Sequence, residues 1–378
     1  MNWKALLALP LLGTTLALPA ALPARANDGL YYFSKVSGDV RVKKSFFSGY
    51  QRASSGQVLS RNDRIWVKNG RAVVICNNLK PWPVPVGKPV RVSSGCPATT
   101  ATLRRRNDNQ APPRGNEEEG PILLSPRNTA LLPIDPITFR WQPVEGASRY
   151  QFALKRLASV IWSTETAKTQ VPYPGQPPLT PNRSYFIAIA ADNGKVTPED
   201  AQPTLTILSA PQAAALQKQE QQVEVLNLEP DAKALTLAYL YRSTCLDAMT
   251  PSTCLNQAAI DVLAERIEAG SQDAAIYQLQ ANTYQQIGLQ QKAEALYQKA
   301  LTQAQTSEHL WQQAEIQQQL GLIARQRGNH AEAVKWLQSA KATYQQLVDP
   351  DEAEAQEILQ QLQDWLEDSQ RQSTSATD

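Results

Sequence analysis

The chain has 378 residues, 42% of them hydrophobic and 19% charged, enough for ordinary cores in about two or three domains of ~100–150 residues. The formal net charge of +2 hides an asymmetry: residues 27–110 hold 15 Lys+Arg against 4 Asp+Glu, residues 111–210 hold 9 against 9, and residues 211–378 hold 11 against 22. A basic front and an acidic rear steer different partners or attract each other, and no stretch after the first 26 residues approaches the ~18 apolar residues of a transmembrane helix.

Residues 1–26 carry one early cation, Lys4, then the apolar run Ala5–Gly13 with Leu16, Ala17 and Leu18, and end on Ala24-Arg25-Ala26. A charged front, an apolar centre and a small-x-small end are the parts of a secretory signal peptide, with cleavage expected after Ala26. The mature chain is therefore expected to be periplasmic or secreted, where disulfides form. Of the three ways to pair four cysteines, the two local bridges Cys76–Cys96 and Cys245–Cys254 are the simplest.

Proline and glycine, 26 and 17 in all, thin out after about residue 211, which predicts β-rich regions first and helices afterwards. In residues 27–98 the apolar pattern alternates in short strands: Val40–Val42, Ile65–Val67, Ala72–Ile75, Val84–Val86 and Val90–Val92. Asn69-Gly70 favours a tight hairpin. The order Ser37-Gly-Asp-Val-Arg-Val, Gly56-Gln-Val-Leu, Asn62-Asp-Arg-Ile and Gly70-Arg-Ala-Val-Val-Ile-Cys76 resembles the FecR-type domain of bacterial envelope proteins, over about 65 residues. That family includes signalling relays that carry a transmembrane helix, which this chain lacks after its signal peptide. Lys43, Lys44, Arg61, Arg64 and Arg71 are candidates for a basic surface toward an anionic envelope polymer or the acidic rear of the same chain; nucleic acid is not an expected partner after export.

Residues 99–120 have no periodicity and read as a flexible linker. Residues 121–209 hold alternating strands at 137–141, 150–154, 160–162, 185–189 and 204–208, the pattern of a small sandwich. With Trp141 at the core position and Leu179-Thr-Pro-Asn-Arg-Ser-Tyr185 as a tyrosine corner, this stretch is similar to the fibronectin type III family throughout. The resemblance implies that Tyr185 packs its ring on the core and holds the preceding loop with its hydroxyl.

From about residue 211 to 370 apolar residues fall at helical spacing. Ala281, Tyr284, Gly288, Ala293, Tyr297 and Ala300 recur as Gly321, Ala324, Gly328, Ala333, Leu337 and Ala340, and a degenerate unit with Ala259, Leu263 and Ile267 precedes them by 34 residues. This grammar resembles the tetratricopeptide repeat (TPR) family. Six residues are inserted near Gln305–Glu308, and a second insertion, Ser243–Ser252, is one that Cys245–Cys254 would staple. Asp349-Pro-Asp-Glu starts a cap helix with the stripe Ile358, Leu359, Leu362, Trp365 and Leu366, and residues 371–378 are an expected disordered tail. In such repeats the first helix of each pair lines a groove, which makes Gln278, Asn282, Gln285, Gln318 and Arg325 the candidate partner residues; amides donate and accept, as extended peptide backbone requires.

Neither His309 nor His330 has a partner at metal-ligand spacing, and no catalytic or phosphate-binding motif occurs. The fold class expected is multidomain: a FecR-like β domain, a fibronectin type III-like sandwich and a TPR-like helical domain. No cofactor, metal or enzymatic activity is expected. Two functions follow: an exported interaction scaffold that binds a protein or peptide in the helical groove, or a binder of envelope polysaccharide through the basic first domain.

Overall fold

The computed structural model describes residues 29–97, 101–104, 120–133, 136–199, 202–247 and 250–375. The expected signal peptide at residues 1–26 lies outside the described residues.

The first region forms β1 (Tyr31–Ser37), β2 (Val40–Lys43), β3 (Gln51–Arg52), β4 (Val58–Leu59), β5 (Arg64–Val67), β6 (Arg71–Ile75), β7 (Pro81–Pro83), β8 (Val90–Arg91) and the short helix α1 (Val92–Gly95). They make two four-stranded sheets, β4-β1-β6-β7 and β3-β2-β5-β8. Alternating residues of both sheets, among them Tyr31, Phe33, Val40, Val42, Ile65, Val67 and Val74, fill the space between them. Asn69-Gly70 does not close a hairpin as expected. β5 and β6 belong to opposite sheets, so this corner carries the chain across the sandwich, and Asn69 Oδ1 accepts the Asp39 N–H at 2.9 Å from the matching β1–β2 corner. The strand expected at Val84–Val86 falls instead on Pro81–Pro83, which pairs with β6. Proline donates nothing to a ladder and is tolerated there because β7 is an edge strand. Val92 starts α1, and Cys96 just after it closes a disulfide with Cys76.

The second region comprises β9 (Leu123–Ser125), β10 (Thr129–Leu131), β11 (Thr138–Trp141), β12 (Tyr150–Arg156), β13 (Ser159–Thr166), β14 (Gln170–Pro172), β15 (Ser184–Ala191) and β16 (Thr204–Ile207). A three-stranded sheet, β14-β11-β9, packs on a five-stranded one, β10-β16-β15-β12-β13, in which β10 runs parallel to β16. Trp141, Phe139, Phe152 and Tyr185 are buried between them, with Trp141 stacked on Phe152. The Tyr185 hydroxyl accepts the Thr180 N–H at 2.7 Å, so the ring does tie down the loop before its strand.

Eight helices follow: α2 (Ala210–Glu224), α3 (Pro230–Ser243), α4 (Asn256–Glu268), α5 (Ala274–Gln286), α6 (Gln290–Thr306), α7 (Leu310–Gln326), α8 (His330–Gln345) and α9 (Ala353–Ser375). α2 starts at a capping box between Ser209 and Gln212. α3/α4, α5/α6 and α7/α8 form three successive hairpins and α9 packs on α8. Ala281, Ala293, Ala300, Ala333 and Ala340 are fully buried where helices approach, and a Cβ on Gly321 would lie 2.8 Å from the Leu337 side chain. The insertion near Gln305–Glu308 mainly lengthens the start of α7, which begins at Leu310, four residues ahead of Ala314, and the insertion before α4 is stapled by Cys245–Cys254. The cap helix begins at Ala353 rather than at Asp349: Asp349 to Glu352 form a turn closed by the Glu352 N–H on the Asp349 carbonyl at 3.1 Å, and the Asp349 N–H donates to the Phe46 carbonyl at 2.8 Å. It runs on to Ser375, through five of the residues expected in a disordered tail; residues 376–378 lie outside the described residues.

The three regions share a core. Tyr32, Leu30 and Ile75 of the first region, Ala130 and Leu208 of the second, and Leu235, Ala238, Leu263, Ile276 and Leu279 of the helices form one apolar cluster. Leu103, from the stretch expected to be a flexible linker, is fully buried in that cluster. The Leu30 N–H donates to the Leu103 carbonyl and the Arg104 N–H to Ser243 Oγ. Residues 105–119 of that stretch are outside the described residues. The first region does meet the acidic helices, but mainly through apolar side chains, with one exposed ion pair, Lys35–Glu229 at 3.3 Å. Small-angle scattering should therefore give one radius at low and at high salt; a salt-dependent expansion would contradict an apolar contact.

Gly56 marks how close this contact is. Its φ is +76°, and a Cβ there would sit 2.1 Å from the Ala275 Cβ on α5. Gly56→Ala should lower stability by about 1–3 kcal/mol in urea titration. Gly49→Ala, with no atom within 4 Å of its added Cβ, should stay within about 0.5 kcal/mol of the parent.

Candidate interaction face

α3, α5 and α7 are the first helices of the three hairpins, and their common side is where a partner segment was expected. The first β region already covers part of it. The Tyr32 ring lies 5.1 Å from that of Tyr239 of α3, tilted by 47°, and its hydroxyl bonds to Thr236. Gly56 rests against Ala275 of α5. The loop between β2 and β3 carries Phe46 and Phe47, whose rings lie 5.4 and 5.2 Å from that of Trp311 at the start of α7. Backbone bonds fix this loop: the Ser48 N–H donates to the Leu347 carbonyl, and Asp349 N–H to the Phe46 carbonyl. A turn of the chain, closed by the Phe47 N–H on the Lys44 carbonyl at 3.2 Å and bridged once to Val348, thus lies on the helices with two aromatic anchors.

The second β region holds the opposite ends of the same hairpins. The buried Arg127 donates through Nε to the Ile287 carbonyl at 2.8 Å, and Asn128 Nδ2 donates to the same oxygen at 2.9 Å. That oxygen belongs to the α5–α6 turn. Asn256 at the start of α4 donates to the Asn128 carbonyl at 2.7 Å. Both β regions therefore fix the helices by satisfying backbone groups that helix ends leave open.

Of the five expected groove residues, two are interior. Gln285 is 2% exposed and its Oε1 lies 2.7 Å from the Tyr297 hydroxyl of α6; Gln318 is 8% exposed and accepts the Tyr344 hydroxyl of α8 at 3.0 Å. They tie the two helices of a hairpin together and do not face an open groove. Asn282 is half-buried and accepts the Tyr297 hydroxyl at 2.6 Å. Arg325 pairs with Asp368 of the cap helix at 2.7 Å. Gln278 is half-buried, bonding Gln312 at 2.8 Å and Glu315 at 3.5 Å across the α5–α7 contact. The reason is the burial of α7, which is covered nearly all round from Gln312 to Ala324. A glutamine inside a packed helix layer must find an internal partner.

No family model matches this chain, and no curated protein matches it. Among solved structures, the MamA protein aligns at 14% identity and a TM-score of 0.28, covering 44% of this chain and 85% of its own. BtubC (BKLC) from P. vanneervenii aligns at 18% identity and a TM-score of 0.30, over 44% of this chain and 73% of its own.

The expected basic surface also divides. Lys44 is 3% exposed, pairs with Asp63 at 3.5 Å, donates to the Val58 carbonyl at 3.2 Å and lies 5.0 Å from the Trp311 ring; it belongs to the internal contact. Arg71 opens β6 of the other sheet, and Arg61 sits in the turn before β5. Lys43 and Arg64 stand opposite each other on β2 and β5. His309 precedes α7 and His330 opens α8; burial and the nearby Arg52 lower the His309 pKa. The residues missed were Phe46, Phe47, Arg127 and Asn128. A Phe-Phe pair between serines in a loop is the signal that would have found the first two, since such a pair needs something to cover it.

Asp273 caps α5 beside the Gly56–Ala275 contact and accepts the Ala275 N–H at 2.9 Å. Burial pushes its carboxyl up from 3.8 to about 6. Because this folded value lies above the unfolded one, the group contributes most below its unfolded pKa, and that contribution is lost as pH rises through about 6. Asp273→Asn keeps a capping oxygen without the charge. It should leave stability unchanged at pH 3.5 and raise it by about 1–2 kcal/mol at pH 8, as read by denaturant unfolding at both pH values.

Proposed function

We propose that this chain is an exported, non-enzymatic interaction protein of the bacterial cell envelope. In this reading its FecR-like and fibronectin type III-like domains brace a TPR-like helical domain that holds a protein or peptide segment. The observation that carries it is the contact the helices already make with their own chain. The β2–β3 loop sets Phe46 and Phe47 against Trp311 of α7 and bonds its backbone to Leu347 and Asp349 between α8 and α9, so the helices already hold a non-helical segment by aromatic anchors and backbone hydrogen bonds. Across the α5–α7 contact, the half-buried Gln278 and Glu315, 3.5 Å apart, offer a further donor and acceptor. Export rests on Lys4, the apolar run and Ala24-Arg-Ala26, and the two disulfides accord with an oxidising compartment. Among the described residues, no helix is long and apolar enough to cross a membrane.

A photocrosslinking residue placed at Gln278 in the native envelope should trap one polypeptide, and the same residue at the exposed Lys299 of α6 should not. Adding Glu315→Arg should abolish the Gln278 crosslink. Equal trapping from both positions, or none from Gln278, would remove the reading.

A further inference from the structure

The first β region has two outer sheet faces with opposite characters. One is apolar and packs on α3. The other belongs to β3-β2-β5-β8 and is basic and aromatic. Strand alternation turns Val40, Val42, Ile65 and Val67 inward, so Arg41, Lys43, Arg64 and Trp66 point outward. Register places Arg52 opposite Arg41, Arg64 opposite Lys43, and Arg91 opposite Arg64. Four successive strands thus contribute cations to one surface, with like charges directly across from one another, an arrangement that destabilises a sheet. Arg41 and Lys68 both pair with Asp39, at 2.5 and 3.9 Å. Lys43, Arg52, Arg64 and Arg91 make no ion pair with any described residue, which leaves them available to an anion.

Trp66 lies amid these cations. Its Nε1 donates to the Gly87 carbonyl at 2.8 Å, which fixes the indole; the Tyr50 ring meets it edge-on at 5.7 Å and Lys68 Nζ lies 4.5 Å from it. We propose that this face binds an anionic polysaccharide, independently of any partner on the helices. Guanidinium groups take carboxylates or phosphates in paired hydrogen bonds, and fixed aromatic rings stack against sugar faces. Strands ~4.8 Å apart and outward residues ~7 Å apart along each strand give a flat lattice of charge suited to an extended polymer. An acidic peptide would use the cations and leave the indole idle.

The test uses the full chain with both disulfides intact and reads fluorescence anisotropy. Labelled oligogalacturonate and heparin oligosaccharides are the probes; neutral dextran, polyglutamate and phosphatidylglycerol vesicles are the alternatives. The expected result is saturable, salt-sensitive binding of at least one acidic saccharide. Arg52→Gln combined with Arg64→Gln should weaken it on the order of tenfold or more. Trp66→Ala should weaken saccharide binding several-fold and leave polyglutamate unaffected, while Lys195→Gln, in the second β region, should change nothing. Arg64→Gln should melt no lower than the parent, since it relieves like-charge crowding. Failure to bind either saccharide, equal binding of dextran, polyglutamate or vesicles, or indifference to the arginine substitutions would overturn the proposal.

Discussion

The sheet β4-β1-β6-β7 is covered on both faces, and much of the structure depends on it. Tyr31 and Phe33 enter the sandwich core while Tyr32 between them enters the cluster shared with the helices. In the same way Val74 faces inward and Ile75 faces α3 and its neighbours. Each large apolar side chain buried this way contributes about 1.5–3 kcal/mol relative to exposure. Separating the first region from the helices would therefore uncover a hydrophobic face and leave the Tyr32 hydroxyl without Thr236. Burial also raises the pKa of that hydroxyl far above the usual range, so it stays neutral and a hydrogen-bond donor at every physiological pH. The strands and helices that look like separate modules are fixed to one another.

The helical hairpins feel this constraint along α7. With Trp311 covered by Phe46 and Phe47, and with α8 behind it, α7 has little side left for solvent. Its glutamines consequently bond inward: Thr343 donates to Gln317 at 2.9 Å and Tyr344 to Gln318 at 3.0 Å. Such buried polar ties add less to stability than apolar packing would, but they admit few alternative helix registers, because a shift of one residue leaves an amide unsatisfied. The Lys44–Asp63 pair acts similarly at the domain contact, where both ends are almost fully enclosed. A pair of this kind is a modest source of stability and a stringent condition on geometry.

The repeat grammar was legible because it rests on short-range spacing: Ala281, Ala293 and Ala300 are small where helices cross, whatever lies outside them. The core of the second sandwich was legible for the same reason, through Trp141 and Tyr185. What pattern could not convey is which faces are covered by distant parts of the chain. Tyr31-Tyr32-Phe33 does not alternate, so β1 was missed; it lacks alternation because it has two buried sides. Gln285 and Gln318 fall among groove residues by pattern, because amphipathic periodicity treats a glutamine as exposed. Lys44 was read as surface charge though its neighbours in space, Asp63, Val58 and Trp311, lie up to hundreds of residues away. Each of these residues is placed by a long-range contact, whereas the Asn69-Gly70 corner and the start of α9 at Ala353 are local departures from the pattern.

The charge asymmetry acquires a different meaning once the faces are known. If the basic first region were attracted to the acidic helices, its cations would gather on the contact. Apart from the exposed Lys35–Glu229 pair, the enclosed Lys44 and Arg52 near His309, they do not. Arg41, Lys43, Arg64 and Arg91 lie on the sheet that faces away from the shared core, because in a two-sheet sandwich only one outer face can be given to the helices. The apolar contact thus performs two tasks at once. It fixes the first region on the helices, and it turns a cationic surface with a locked tryptophan outward, at a constant distance and orientation from the side of α5 and α7 that bears Gln278 and Gln312. Two surfaces of different chemistry are thereby joined through one apolar core, whereas a flexible tether would leave their relation open.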